Sequence, residues 1–359
     1  MMTEKNKEFL KGVDLSFVDE VESEGGVYYE NGHSVDVIDL LHRSGVNTVR
    51  LRLWHTPSGG YCNIARTIKM AQRIKEYNMH FLLDFHYSDY WADPGKQTKP
   101  KAWQALTFPQ LTEEVKRYTY DVMHELSLAK ALPDMVQIGN EITNGMLWDD
   151  GKIYKEKNGV EVEEWAGIIA LIRAGLEGVK EATNEKQVET MIHIDRGGDN
   201  EGTRKFFDKM VDASMEYDVI GLSYYPWWHG PYQDFVTNLE DVANRYQKEI
   251  IVVEVAYPWT VPADLPQVDN EPDIRKYLVD GYPATPEGQK AYLTKLIETI
   301  KNVPGQLGRG FYYWEPCWIP SKEKWSVGHE NNWSHLTLFD YEGNKLIGLD
   351  AFYDKNTEK

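Results

Sequence analysis

Short apolar runs alternate along the chain with stretches whose apolar residues recur every three or four positions. The runs are GVDLSF (12–17), NTVRLRLW (47–54), HFLLDFH (80–86), DMVQIGNE (134–141), ETMIHID (189–195), DVIGLSYYP (218–226), EIIVVEVAYP (249–258) and GRGFYYWEP (308–316). Each is rich in Val, Ile, Leu or aromatic residues and short enough for a buried strand. Between them, Ile64, Ile68, Ala71 and Ile74 are spaced for an amphipathic helix, as are Leu111, Val115, Tyr118, Val122 and Leu126. The same holds for Trp165, Ile168, Ile169, Ile172, Leu176 and Val179, for Phe235, Leu239, Val242 and Tyr246, and for Leu293, Leu296, Ile297 and Ile300. The last of these helices is introduced by Thr285, a capping residue, and Pro286, suited to a first turn. Strand and helix alternating in this way predict an α/β fold, the closed parallel (β/α)8 TIM barrel. An open doubly wound sheet would usually carry a Gly-rich phosphate turn after an early strand, and none is present. Without an internal repeat or a linker-like tract, residues 1–359 read as a single domain whose barrel strands run from about 12 to 316.

The connections are lopsided. Helix-to-strand links are short, whereas strand-to-helix links at 87–108, 142–160, 257–284 and 317–346 are long. In barrels the long loops gather at the strands' C-terminal face, where active sites lie. Of the 12 Trp, all but Trp165, which is placed on a helix, fall at strand ends or in those loops: Trp54, Trp91, Trp103, Trp148, Trp227, Trp228, Trp259, Trp314, Trp318, Trp325 and Trp333. About half are expected to be loop core, and the others to be flat platforms for the apolar faces of sugar rings. The 39 basic and 57 acidic residues give a formal charge of −18, which argues against a nucleic-acid partner. Cys62 and Cys317 are read as free thiols, no apolar run is long enough to span a membrane, and the opening MMTEKNKEFLKG contains no signal-like apolar region.

Two strand-like runs end in unexpected charge: Asn140 and Glu141 follow Val136 and Ile138, and Glu254 follows Val252 and Val253. A carboxylate there is costly unless it is paired or used. Two carboxylates flanking a glycosidic bond are the usual equipment for its hydrolysis. The competing reading is a pair of structural salt bridges. Arg50 and Arg52 share strand parity and are placed to orient a carboxylate. Tyr225 is a candidate hydrogen-bond partner for the nucleophile, and Asp84 and His86 end the third strand in the same manner. His86, His193 and His229 lie on separate strands without HxxxH or HxH spacing, so no metal is expected at the site. No GxSxG or Walker motif appears.

The stretches KGVDLSF, NTVRLRLW, DFHYSDYWADPGKQTKPKAW, VQIGNEITNGMLW, SYYPWWHG, VEVAYPW, YPATPEGQ and FYYWEP, from Lys11 to Pro316, resemble glycoside hydrolase family 53, the endo-β-1,4-galactanases. The resemblance implies a (β/α)8 barrel, retaining hydrolysis of β-1,4-galactan side chains of pectin, Glu141 as acid/base and Glu254 as nucleophile, with Asn140 at the sugar 2-hydroxyl. Arg50, Arg52, Trp54, Asp84, His86, Trp91, Tyr225, His229 and Trp314 complete the expected binding and supporting set. No cofactor is implied. Calcium in the loop after the seventh strand stays an alternative; the tract PADLPQVDNEPDI departs from the family's ligand pattern, leaving Asp264, Asp269 and Asp273 as candidates. The resemblance also implies an exported protein, secreted or held at the cell surface or in the periplasm, and a monomer is expected. The rival readings are a barrel glycosidase on β-mannan or β-glucan, a non-catalytic carbohydrate-binding barrel, and a sugar-phosphate lyase or isomerase.

Overall fold

A computed structural model of the chain describes residues 7–183, 188–261, 272–320 and 333–353. The parallel strands β1 (Leu10–Asp14), β2 (Thr48–Leu53), β3 (His80–Phe85), β4 (Met135–Ile138), β5 (Glu189–Ile194), β6 (Val219–Tyr224), β7 (Glu249–Val255) and β8 (Gly308–Tyr313) close into a barrel. Each pairs with the next in chain order, and β8 pairs back to β1. The helices α1 (Val37–Arg43), α2 (Ile64–Glu76), α3 (Phe108–Leu128), α4 (Ala166–Thr183), α5 (Asn200–Asp212), α6 (Tyr232–Tyr246) and α7 (Pro286–Lys301) fill the crossovers, and a 3₁₀ segment, Ile347–Phe352, follows β8. Asn63 caps α2, and the Thr285 hydroxyl accepts the Gly288 N–H to start α7, with Pro286 in its first turn. Trp165 stands one residue ahead of α4 rather than on it. Among the described residues no helix is long and apolar enough to cross a membrane.

Every strand ends sooner than its apolar run, so His86, Asn140, Glu141, Tyr225 and Trp314 leave the ladder and enter the loops, whereas Arg50, Asp84 and Glu254 stay on their strands. The clearest case is β4, which stops at Ile138 rather than at Glu141. Strand β1 also begins earlier than its run, at Leu10.

Alternation along each strand sorts side chains between two layers. One set, including Val49, Leu51, Leu83, Val136 and Ile192, packs outward against the helices. The inward set begins as an apolar plug of Leu10, Leu82, Met135, Met191, Val219, Ile251, Val253 and Tyr312. Gly12 makes room for it, since a Cβ there would lie 2.4 Å from the Tyr312 ring. Further along the same faces come Asp14, Arg50, Asp84, Gln137, His193 and Ser223, so the interior turns polar toward the C-terminal end. Strand β7 departs from the alternation. Leu222 pairs with Val252 but Ser223 pairs with Glu254, so β7 carries one extra residue. Such a bulge re-aims a side chain, here turning Glu254 to the inner face directly after Val253.

Candidate active site

The polar end of the barrel opens into a cleft of about 640 Å³, lined by Arg50, Arg52, His86, Trp91, Asn140, Glu141, Tyr225, His229, Glu254 and Trp314 among others. Of the residues singled out from sequence, Asp84 and Trp54 lie beneath it, fully buried.

Arg50 organises the floor. One terminal nitrogen donates to Asp14 Oδ2 and Glu254 Oε1, each at 2.9 Å. The other donates to Asp84 Oδ2 and Asn140 Oδ1, each at 2.8 Å. Burial disfavours the guanidinium charge, but the surrounding carboxylates outweigh it and raise its pKa. Reciprocally, burial would raise Asp84, yet Arg50 and then His86 hold its carboxyl below the usual range. His86 donates from Nε2 to Asp84 Oδ2 at 3.1 Å, while its Nδ1 accepts the Trp54 indole N–H at 3.2 Å and the Ala92 N–H at 3.1 Å. Trp54 is therefore a strut for His86 rather than a sugar platform, and it meets Trp91 edge-on.

Glu254 receives a second donor on its other oxygen, the Tyr225 hydroxyl at 3.1 Å. Burial pushes the Glu254 carboxyl up to about 7, with Arg50 pulling the opposite way. Burial, and then Glu254 itself, push the Tyr225 phenol well above its ordinary range, so it remains a donor. His229 Nδ1 accepts the Tyr225 backbone N–H at 2.9 Å, fixing that residue from behind, and burial lowers the His229 ring to about 3.

Glu141 reaches the cleft through a sharp turn. Gly139 has φ 81 and Glu141 has φ 47 and ψ 51, a left-handed conformation that costs a non-glycine residue roughly 1–3 kcal/mol. Ser223 donates to Glu141 Oε1 at 2.6 Å. Burial, then Glu254, then Asp195 push this carboxyl well above its ordinary value. An oxygen of Glu141, an oxygen of Glu254 and a ring nitrogen of His193 lie within 4.8 Å of one another. Two carboxylates so close do not both stay ionised. Glu254 is held by a cation and a phenol, Glu141 by one neutral hydroxyl, so the shared proton belongs on Glu141. The two His193 nitrogens face Ser223 Oγ at 2.8 Å and Gln137 Nε2 at 3.0 Å, which takes the imidazole out of any metal-ligand role.

Arg52 shares the parity of Arg50 but not its partners. It donates to Glu315 Oε1 at 2.6 Å, and its guanidinium lies between Phe17 and Trp91, 4.2 Å from each ring centre. It neutralises a buried carboxylate and braces Trp91, and it grips neither cleft glutamate. Trp91, Trp228, Trp314, Trp318 and Trp333 border the cleft, Trp318 almost wholly buried against Phe17 and Trp333 largely so, whereas Trp54 and Trp103 are loop core. Sequence reasoning passed over Asp14, Gln137, Asp195, Ser223 and Glu315, and weighed His193 only as a metal ligand. Asp14, Gln137 and Ser223 carry one available signal, a polar residue in the inward register of an apolar strand. Of the calcium candidates, Asp264 and Asp269 lie outside the described residues; Asp273 caps the turn Ile274–Lys276 and pairs with Arg275 Nε at 2.9 Å.

A closed (β/α)8 barrel with two facing carboxylates at the end of an aromatic cleft defines a glycoside hydrolase. A sequence profile described as glycosyl hydrolase family 53 matches residues 10–352, and the chain belongs to that family. It is 51% identical over 350 residues to an uncharacterized protein in the bgaB 5′ region of Niallia circulans, covering 97% of this chain and 94% of that one. It is 33% identical over 343 residues to an arabinogalactan endo-β-1,4-galactanase of Cellvibrio japonicus, covering 93% of this chain and 87% of the relative. The solved Ignisphaera aggregans family 53 catalytic domain superposes with a TM-score of 0.87 at 36% identity, covering 96% of this chain and 95% of that domain.

Proposed function

We propose that this protein is a retaining endo-β-1,4-galactanase, with Glu254 as nucleophile and Glu141 as acid/base. The observation that carries the assignment is the unequal environment of two carboxylates with oxygens within 4.8 Å. That closeness suits direct attack on the anomeric carbon, whereas an inverting pair stands about 6.5–9.5 Å apart to admit a water. Glu254, gripped by Arg50 and Tyr225, is oriented and charged for attack. Glu141, with its proton retained by burial and by Glu254, can donate to the leaving oxygen and later accept a proton from water. Asn140, held by Arg50 and by the Ala92 carbonyl, takes the sugar's 2-hydroxyl in this reading. The whole reaction consumes water alone.

The substrate in this reading is the β-1,4-galactan of type I arabinogalactan, a neutral polymer that the Trp-lined cleft accepts by stacking. In this reading the barrel works as one catalytic domain and as a monomer. Acting on a polymer that crosses no membrane, the enzyme works outside the cytoplasm. The test is reducing-sugar release from galactan, mannan and cellulose side by side, with the anomeric form of the first product followed by NMR. Galactan should be cleaved at least about a hundredfold faster, with retention. Equal rates on mannan, or inversion, would overturn the substrate or the mechanism respectively.

A further inference from the structure

We propose that the buried pair His193 and Ser223 decides which oxygen of Glu141 carries the catalytic proton. Both act as positioning residues, and the proposal rests on the reading of Glu141 as acid/base.

Ser223 Oγ lies 2.6 Å from Glu141 Oε1 and 2.8 Å from His193 Nε2. One proton bridges each contact, so the direction of the chain follows from the His193 tautomer. His193 is fully buried, and burial, then Arg50, His86 and His229, keep it neutral with a single ring proton. With that proton on Nε2, His193 donates to Ser223, and the Ser223 hydroxyl must donate to Glu141 Oε1. Oε1 then only accepts, and the acid proton of Glu141 is confined to Oε2. With the proton on Nδ1, the ring donates to Asn140 Oδ1 at 3.1 Å. Nε2 then accepts from Ser223, Ser223 accepts from Oε1–H, and the acid proton is parked inside the protein.

The surroundings select the first arrangement. Gln137 Nε2 faces Nδ1 at 3.0 Å; it is a donor only, and its two hydrogens are shared among Nδ1, Asp84 Oδ1 at 2.7 Å, the Gly139 carbonyl at 3.0 Å and Asn140 Oδ1 at 3.1 Å. The backbone N–H of Glu141 points at the same Nδ1 from 3.4 Å. Both groups are donors, and neither tolerates a proton on Nδ1. Asn140 Oδ1, the acceptor the second arrangement needs, already faces two donors for its two lone pairs, Arg50 at 2.8 Å and Gln137 Nε2 at 3.1 Å.

The balance through the reaction is simple. In the first step Oε2–H passes its proton to the leaving oxygen as the glycosidic bond breaks. In the second, Oε2 takes a proton from the attacking water. Oε1 remains the acceptor of Ser223 throughout, so neither half-reaction requires that hydrogen bond to reverse. Asp195 and Asp93 also face Glu141 and act on its charge, but neither donates to it.

The wild-type enzyme provides a direct test through nitrogen NMR of labelled histidine. His193 should show a protonated Nε2 and a bare Nδ1, unchanged from about pH 5 to 8, the range in which an ordinary histidine titrates. A proton on Nδ1, or titration in that range, overturns the proposal. Kinetics of Ser223→Ala supply the second arm. Turnover of galactan should fall about tenfold or more, while the first step with an activated aryl galactobioside, which needs no proton, changes little. Equal losses on both substrates sink the proposal. Glu141→Ala measured in parallel separates the two readings. If it shows leaving-group dependence and Ser223→Ala does not, the acid/base assignment stands and the positioning role falls. If neither shows it, the assignment itself falls.

Discussion

Tyr225 and Arg50 take opposite oxygens of one carboxylate: the phenol donates to Glu254 Oε2 at 3.1 Å and the guanidinium to Oε1 at 2.9 Å. Each bond goes to a charged acceptor, the kind worth about 1.5–3 kcal/mol. Tyr225→Phe keeps the ring and removes one of them. We expect kcat/KM on galactan to fall about ten- to a hundredfold with little change in melting temperature. Unaltered kcat/KM would show that Arg50 alone orients the nucleophile.

Glu254→Gln should bind galacto-oligosaccharides yet lose nearly all turnover. The amide keeps the shape and the Arg50 contact on its carbonyl oxygen, but it cannot attack the anomeric carbon. Calorimetric binding alongside a rate assay checks this, and near-normal activity would mean another nucleophile.

Glu141→Ala should behave differently. An aryl leaving group departs without a proton, so the first step survives better with it than with a sugar. The second step lacks its base, and the glycosyl-enzyme accumulates. Azide, which needs no deprotonation, should restore turnover and give a product of retained configuration. Absence of rescue, with equal losses on polymer and aryl substrates, would falsify the acid/base assignment.

The pH dependence follows from the same pair. In the proposed roles Glu254 acts ionised and Glu141 protonated, so rate should rise through the lower macroscopic value of the pair and fall through the upper. Stability runs one way. Both carboxyls titrate higher in the fold than in the unfolded chain, so their contribution is full below the unfolded value near 4.3 and is lost as pH climbs through the folded values. Glu141→Gln cannot ionise. Its melting temperature should exceed that of the wild type increasingly as pH rises above neutrality and converge with it toward about pH 4. A gap that widens in acid instead would contradict the raised Glu141 value.

The barrel was legible because β-branched runs and helical spacing alternate so regularly, down to the Thr285 cap of α7. Glu141 and Glu254 were legible because charge after an apolar run is rare without a use. What escaped was long-range partnering. Arg50 and Arg52 look alike in sequence, and only closure of the barrel sets one against Asp14, Asp84 and Glu254 and the other against Glu315. Trp54 and Trp91 look alike too, and burial alone separates strut from platform. Ser223 gave no signal beyond its parity, since a hydroxyl in a strand is commonplace until a carboxylate from another strand end is seen 2.6 Å away.

The floor sets three carboxylates against the single guanidinium of Arg50, which leaves surplus negative charge where a sugar ring turns cationic. For a positively charged iminosugar that imbalance becomes a matter of proton exchange with solvent. Its arrival should expel the proton shared by Glu141 and Glu254. The observed binding heat should then track the ionisation enthalpy of the buffer, and affinity should climb with pH until the inhibitor itself loses its charge. A neutral galactoside in the same place should show neither dependence.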